Sequence, residues 1–267
     1  MVGPVRPLFV LFGSSIVQIS FCNGGWGAIL SEIYARKAYI ITRGYFGWNS
    51  RRALQILDQV FPKEAEIQPS LVIVYFGGND STGPNSSGRV LMSLFQNTHE
   101  ENRNLSQGDM LSLSDKTRVI FLTCPPINEA KVRINRMLLW HLPGASVYFS
   151  ELVRTNELCR TYSAALMELC KELGINAIDL YTAFQKLEDW QDAYFIEDGV
   201  HSSAEGSKIV AEEILKVIKE AEKEPSLHWR SMATEYSEDS PYDLVAADGE
   251  RTLNPSEWTY YREIQWE

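Results

Sequence analysis

Groups suited to acyl transfer stand at four widely separated points of the sequence. Ser14 and Ser15 follow the apolar run LFVLF and a glycine, Asn79 stands in FGGND, and Asp198 and His201 stand in EDGVH. A glycine-containing loop, RGYFGWN, forms the fourth point. Acyl transfer needs a nucleophile, a base, an orienting acid and amide donors for an oxyanion, and these stretches hold all of them. Either serine can equally be a simple helix cap.

The spacing of Asp198 and His201 has a physical meaning. Three residues apart on a turn that enters a helix, the carboxylate can reach Nδ1 of the imidazole while Nε2 points towards Ser15. The carboxylate then fixes the tautomer of the ring and stabilises the imidazolium that forms during attack. Glu197 is an alternative orienting acid for the same histidine.

The elements that must position these groups alternate along the chain. Helical patterns cover Trp26–Arg36, Ser50–Phe61, Glu151–Leu173 and Ser202–Glu222. Short runs rich in β-branched and aromatic residues predict five buried strands: Leu8–Phe12, Ala38–Thr42, Leu71–Phe76, Arg118–Thr123 and Ile175–Leu180. Alternating strands and helices predict an α/β fold in which a parallel sheet lies between two layers of helices. Reacting groups in such sheets lie beyond the carboxyl ends of the strands.

Several helix ends carry their own signals. Ser50 is a predicted cap, and Ser202 with Glu205 forms a predicted capping box at the start of the last helix. Gly174 is a natural end for the helix before it.

Three stretches fit this alternation poorly. Residues 85–113 are polar and weakly periodic, with at most a short helix around Val90–Phe95, and residues 136–147 are apolar without a partner strand. Residues 225–267 are acidic and aromatic with little periodicity. We therefore predict one domain over residues 1–224 and an irregular C-terminal tail over residues 225–267 that wraps the domain through its Trp and Tyr side chains.

Composition narrows the possible partners. The chain has 267 residues, 45% hydrophobic residues and a net charge of −10, which argues against nucleic acid and anionic membrane surfaces. Its four cysteines are scattered and form no metal-ligand pattern, so we expect reduced thiols and no metal site. We find no stretch long enough for a transmembrane segment and no recognisable signal peptide, and we expect a cytoplasmic protein.

Two other α/β enzyme or binding classes are disfavoured. The loop after the first strand lacks the G-x-G-x-x-G and Walker-type lysine patterns that cradle phosphates. The G-x-S-x-G elbow of α/β-hydrolases is also missing, and the candidate nucleophile follows the very first strand.

The chain resembles the SGNH, or GDSL-type, hydrolase superfamily, whose four blocks contribute Ser, Gly, Asn and His. Within it the chain is most similar to plant esterases related to isoamyl acetate-hydrolysing esterase. The matching stretches are FGSSIVQ, RGYFGWNSR, VIVYFGGNDS, TCPP, SELVRTNELC and EDGVHSSAEGSKIVAEEIL. They cover most of residues 8–84 and 117–222.

The resemblance implies a role for each matching residue. Ser15 is the implied nucleophile, His201 the general base and Asp198 its orienting acid. The backbone N–H groups of Ser15 and Gly47 and the side-chain amide of Asn79 form the implied oxyanion hole. The implied fold is a flavodoxin-like three-layer α/β/α sandwich around a five-stranded parallel sheet. Two departures stand out: Ser14 occupies the position of the usual Asp, and residues 85–113 poorly match the helix that relatives carry there.

The expected function is hydrolysis of small or medium acyl esters, with a small-molecule ester as partner and without a cofactor. Trp26 and Trp48 are candidates to line the ester pocket, or they pack at the sheet edge. Lysophospholipase, thioesterase or acyltransferase activity on the same residues is one alternative. A catalytically silent domain that binds ligands or partners is another. The oligomeric state does not follow from the sequence.

Overall fold

The computed structural model describes residues 6–84, 86–93, 95, 113–114, 116–139, 154–221 and 224–235. Its centre is a five-stranded, all-parallel sheet in the order β2-β1-β3-β4-β5. The strands are β1 (Leu8–Gly13), β2 (Tyr39–Gly44), β3 (Leu71–Tyr75), β4 (Arg118–Leu122) and β5 (Asn176–Ile178). The predicted fold class is confirmed. The apolar runs of β1 and β3 are buried as predicted, but the prediction of a buried strand is wrong for β2 and β5, because they are the edge strands and most of their residues are half-buried or exposed.

Helices follow most strands, as right-handed crossovers require. They are α1 (Ser15–Gln18), α2 (Trp26–Ile33), α3 (Ser50–Gln55), α4 (Leu57–Val60), α5 (Glu129–Leu139), α6 (Asn156–Leu173), α7 (Leu180–Phe184), α8 (Trp190–Ala193) and α9 (Ala204–Glu220). Met92, Ser93 and Phe95 are also helical, in agreement with the short helix predicted around Val90–Phe95.

Alternating side chains of each strand build two cores. Phe9 and Leu11 of β1 pack with α2, α7 and α9 on one face of the sheet. Val10 and Phe12 pack with α3, α4 and α6 on the other face. Because successive residues of a strand point to opposite faces, one short apolar strand supplies both cores. The result is three layers, with the sheet in the middle.

Strand order determines where a site can form. β1 lies between β2 and β3, so the chain leaves β1 towards one side of the sheet and later continues on the other side. Ligands of open parallel sheets bind at such a switch point, beyond the carboxyl ends of the strands. The loops after β1, β2 and β3 therefore meet at one edge.

Several predicted helix ends need correction. Asn49, and not Ser50, caps α3, since its side chain accepts a hydrogen bond from the Arg52 N–H. Ser203, and not Ser202, caps α9 by accepting from the Gly206 N–H. In both cases two adjacent residues are competent caps, and only the backbone angles of the turn choose between them. The predicted end at Gly174 is confirmed by its left-handed conformation with φ 64°.

Two helices differ in extent from the sequence pattern. The long helix α6 begins at Asn156 after a Thr155 cap, and the predicted start at Glu151 lies outside the described residues. The pattern missed α5, which begins at Glu129 and runs into the predicted irregular segment 136–147 as far as Leu139. Four of its eleven residues are charged and Ile134 is 59% exposed, so the apolar positions in the sequence do not mark its buried face.

Residues 224–235 lie against the layer that contains α2. The Tyr34 hydroxyl donates to the carbonyl of Leu227 at 2.9 Å, and Lys37 Nζ donates to the carbonyl of Met232 at 2.8 Å. Trp229 is buried in the same core. Residues 236–267 and most of 85–113 lie outside the described residues, so the domain boundary at 224 stays a prediction.

Within the described segments, no helix is both long and apolar enough to cross a membrane. The same residues contain no group of three or more His, Cys, Asp or Glu side chains arranged to hold a metal ion.

Candidate active site

Ser15 is the first residue of α1, directly beyond the carboxyl end of β1. Ser14 occupies the N-cap position, but its side chain makes no capping hydrogen bond. Its backbone N–H donates instead to the carbonyl of Tyr75 at the end of β3, at 3.2 Å. The turn therefore joins two strand ends and leaves the Ser15 side chain at the edge of the sheet, 9% exposed.

Ser15, His201 and Asp198 are in direct contact, although 186 residues separate Ser15 from His201. The Ser15 hydroxyl Oγ lies 2.8 Å from Nε2 of His201. Nδ1 of the same ring contacts Oδ2 of Asp198. Because a carboxylate only accepts, the ring donates from Nδ1, and Nε2 is left to accept the hydroxyl proton of Ser15.

The environment of Asp198 keeps its carboxylate charged. Burial alone raises the pKa of Asp198, but the hydrogen bond and charge of His201 lower it, and so do the backbone N–H groups of Val200 and His201, for a net pKa below its ordinary value. Those two N–H groups donate to Oδ1 at 2.8 and 2.9 Å. Each oxygen of the carboxylate thus has a separate task.

The loop that carries Asp198 and His201 is attached to its surroundings at both ends. The Ile196 N–H donates to the carbonyl of His201, and the Asn128 N–H donates to the carbonyl of Gly199. Gly199 has φ +72°, and a Cβ there would lie 2.5 Å from the Asn128 carbonyl oxygen. Only glycine fits this turn without strain, which explains the glycine between the acid and the histidine.

The predicted oxyanion donors lie at three neighbouring strand exits. The backbone N–H groups of Ser15 and Gly47 have no hydrogen-bond acceptor in the described part of the chain. Gly47 has φ +74°, and a Cβ there would meet nothing within 4 Å, so its surroundings are open. The Asn79 side chain donates one N–H to the carbonyl of Trp48 at 2.6 Å, which leaves its second N–H available.

Hydrogen bonds join these three exits into one unit. The Tyr45 N–H after β2 donates to the carbonyl of Gly13 at 2.8 Å, and the Phe46 N–H donates to Oε1 of Gln18 at 2.6 Å. The Asn79 side chain, which donates to the Trp48 carbonyl, connects the exit of β3 to the loop after β2. Donors that are fixed before a substrate arrives stabilise developing charge without a reorganisation cost.

Asp80 is fully buried and accepts hydrogen bonds from the loop after β3 and from the start of α3. Its Oδ2 accepts from the Gly77 N–H at 3.0 Å, and its Oδ1 accepts from the N–H and hydroxyl of Ser50 at the start of α3. Burial raises the pKa of Asp80 to about 6, while these hydrogen bonds oppose the rise. In the sequence Asp80 stands in the FGGND stretch, and nothing near it on the chain indicates its contact with Ser50.

The structure separates the remaining candidates by position. Glu197, the alternative orienting acid, is 98% exposed and lies 3.9 Å from Lys131, so Asp198 is the acid that contacts His201. Trp26 is buried and donates to the Ile16 carbonyl, and it also lines a small cavity of about 60 Å³. The half-buried Trp48 stacks on Tyr45 with ring centroids 4.4 Å apart. That either tryptophan lines an ester pocket stays a prediction.

Two further residues at this edge were not found from the sequence. The Phe46 ring is 64% exposed and stacks on the imidazole of His201, with centroids 5.9 Å apart. Arg154 contacts both Gly78 and Asn79. Arg154 stands within SELVRTNELC, one of the stretches that carried the resemblance, but nothing in its neighbours on the chain points to the β3 exit.

The sheet order, the layers and the Ser-His-Asp contacts define a hydrolase-type α/β/α sandwich, and the comparisons with known proteins agree. The family model described as "GDSL-like Lipase/Acylhydrolase family" matches residues 11–209. The chain is 60% identical to the GDSL esterase/lipase CPRD49 of Arabidopsis thaliana, over all of both chains. It is 57% identical to the GDSL esterase/lipase WDL1 of Oryza sativa subsp. japonica, over 99% of this chain and 98% of the relative.

More distant comparisons point the same way. The isoamyl acetate-hydrolyzing esterase 1 homolog of Bos taurus is 31% identical over 86% of this chain and 89% of its own. The crystal structure of the lipase/acylhydrolase from Enterococcus faecalis superposes with a TM-score of 0.60 at 18% identity, over 86% of this chain and 99% of that one. The chain belongs to the GDSL-like lipase/acylhydrolase family, and it is an enzyme of the carboxylic-ester hydrolase class.

Proposed function

We propose that the protein hydrolyses small or medium acyl esters through a covalent intermediate on Ser15. The observation that carries the proposal is the chain of contacts from Ser15 Oγ through both ring nitrogens of His201 to Asp198. In acylation, Nε2 of His201 accepts the hydroxyl proton while Oγ attacks the ester carbonyl. Asp198 holds the ring with its proton on Nδ1 and stabilises the imidazolium that results.

The remaining steps use the same groups in turn. Negative charge develops on the former carbonyl oxygen, where the N–H groups of Ser15 and Gly47 and the Asn79 amide are the proposed donors. Collapse of the tetrahedral intermediate breaks the bond to the alkoxy group, which leaves as the alcohol with the proton from His201. A water then gives a proton to His201 and attacks the acyl-enzyme. The bond from the acyl carbon to Ser15 Oγ breaks, Oγ takes the proton back from His201, and the acid is released.

Support for short acyl groups comes from the name of one relative. The Bos taurus relative carries the name of an enzyme acting on isoamyl acetate, an ester of a two-carbon acid. Thioesterase, lysophospholipase or acyltransferase activity uses the same contacts and differs only in the substrate and the acceptor.

A comparison of wild type with Ser15→Ala tests the proposal. Fluorophosphonate labelling and turnover of p-nitrophenyl acetate should both be present in wild type and absent in the variant. Ser14→Ala is the matched control, because it removes the neighbouring hydroxyl and should retain labelling. Equal labelling of wild type and Ser15→Ala would exclude Ser15 as the nucleophile. An inert wild type would favour a ligand-binding domain.

A series of p-nitrophenyl esters from acetate to palmitate then tests the substrate class. We expect kcat/KM to be highest for short or medium chains and to fall for the longest. A preference for the longest chains would move the assignment to the lysophospholipase alternative. We also propose a cytoplasmic location, supported by the four free cysteines, which imaging of a tagged chain would test.

A further inference from the structure

Arg154 reaches the exit of β3 from a distant part of the chain. Its Nη2 donates to Oδ1 of Asn79 at 2.6 Å, and its Nη1 donates to the carbonyl of Gly78. One guanidinium thus binds Asn79 and Gly78, which lie 75 and 76 positions away from Arg154 in the sequence. A planar group with two parallel donors matches two neighbouring acceptors better than a single ammonium does.

This contact determines which way the Asn79 amide faces. A guanidinium only donates, so the amide oxygen must face Arg154. The Trp48 carbonyl only accepts, so the amide nitrogen must face Trp48, at 2.6 Å. The two neighbours independently require the same orientation, and a turned amide would set donor against donor and acceptor against acceptor. The free N–H of Asn79 is therefore directed by its two partners.

Arg154 is itself held by the start of α6. The side chain of the next residue, Thr155, caps the helix by accepting from the Leu158 N–H at 3.2 Å. The side chain of Asn156 accepts from the Ile127 N–H and donates to the Ile127 carbonyl, at 2.8 and 3.0 Å. These bonds attach the backbone next to Arg154 to the loop after β4. The R-T-N triplet is thus a short anchor whose arginine points back to the site.

We propose that Arg154 is a positioning residue for ester hydrolysis that acts through Asn79. It fixes the amide so that an N–H faces the developing oxyanion, and its positive charge draws electron density towards Oδ1 and makes that N–H a stronger donor. The inference rests on the proposed function, because it requires Asn79 to be an oxyanion donor. Its hydrogen bonds go to Gly78 and Asn79, not to Ser15, His201 or Asp198.

Arg154→Met, which removes both hydrogen bonds, is the main test, and Arg154→Lys keeps the charge but only one donor direction. We expect Met to lower kcat roughly 10- to 100-fold with KM within about threefold, since an oxyanion contact acts mainly in the transition state. Lysine should restore part of the rate. Arg160→Met is the matched control, because Arg160 is exposed on α6 and should leave kcat unchanged.

A double-mutant cycle with Asn79→Ala separates positioning from general stability. In the Asn79→Ala background, Arg154→Met should cost less than about threefold further, because the residue through which it acts is gone. The rate of fluorophosphonate labelling should follow kcat in the same cycle. Losses that simply add in the double variant would overturn the proposal. A lowered kcat that is fully explained by a lowered Tm, because less of the variant is folded in the assay, would also overturn it. Should the Met variant not fold, the same cycle with Arg154→Lys decides.

Failure of this inference is distinguishable from failure of the proposed function. If Ser15→Ala is inactive and Asn79→Ala loses its donor contribution while Arg154→Met matches wild type, only the role of Arg154 is refuted. If Ser15→Ala retains full activity, the proposed function itself is refuted.

Discussion

Replacing Asp198 by asparagine changes the tautomer of His201 while keeping the shape of the side chain. In wild type, Oδ2 contacts Nδ1 of His201, and Oδ1 accepts from two backbone N–H groups at 2.8 and 2.9 Å. Asparagine has one acceptor oxygen, and the two backbone donors hold it. Its NH₂ group then faces Nδ1, the ring proton moves to Nε2, and the ring can no longer accept a proton from Ser15.

The size of the effect follows from these contacts. Turning the amide round would leave two backbone donors unsatisfied, at about 1–3 kcal/mol each. The turned state is thus roughly 2–6 kcal/mol higher, so at most about one molecule in 30 keeps the productive tautomer. The carboxylate that stabilises the imidazolium is also lost. Since this substitution costs serine triads about 10⁴ in kcat, we expect a loss of about 10³–10⁴, or roughly 4–5.5 kcal/mol in the barrier.

Turnover of p-nitrophenyl acetate near neutral pH measures the loss, and circular dichroism verifies that the variant is folded. Glu197→Gln is the matched control, because the neighbouring carboxylate is 98% exposed and does not contact His201. It should retain activity within about twofold. A loss below tenfold in folded Asp198→Asn would refute the tautomer argument. An equal loss in Glu197→Gln would show that the charge of the loop matters and the contact does not.

Three further predictions concern the residues around this contact. Asn79→Ala should lower kcat by about 10²–10³ through a missing oxyanion donor, and a loss below tenfold would remove Asn79 from that role. Phe46→Ala should lower kcat/KM several-fold while changing the free energy of unfolding by less than about 0.5 kcal/mol, because the ring is mostly exposed and stacks on His201. Burial raises the pKa of Asp80 from 3.8 to about 6, so its contribution to stability is complete below about pH 4 and is lost as the pH rises through 6. Relative to Asp80→Asn, wild type should therefore lose about 2 kcal/mol of unfolding free energy between pH 4 and pH 7, and urea titrations that show a constant difference would contradict this.

Local patterns were sufficient for the number of strands and for the bounds of the central ones, whereas the edge strand β5 is only half as long as predicted. β1 and β3 are continuous apolar runs, and their bounds in the structure differ by one residue from those predicted. Such runs are easy to recognise in the sequence because a strand that is buried on both faces has no polar positions between its apolar ones. The helix α5 was missed because four of its eleven residues are charged and the apolar Ile134 is exposed. The caps of α3 and α9 were misplaced by one residue because adjacent residues can both cap.

The sequence also showed the residue types of the site, but it did not show which serine and which carboxylate take part in it. The residues alone left Ser14 and Ser15, and Asp198 and Glu197, as alternatives until the family resemblance ranked them. The structure brings Ser15 and Asp198 to His201 and leaves Glu197 in solvent.

The sequence by itself determined the strand-helix alternation, the family and the chemical groups at the strand exits. Only the tertiary structure decided which of these groups touch, and it added Asp80 beneath the loops and Arg154 behind Asn79. The physical reason is distance along the chain. Hydrophobic period and capping report interactions between residues a few positions apart, whereas the contacts of Arg154 with Asn79 and of Ser15 with His201 exist only once the parallel sheet brings separate strand ends to one edge.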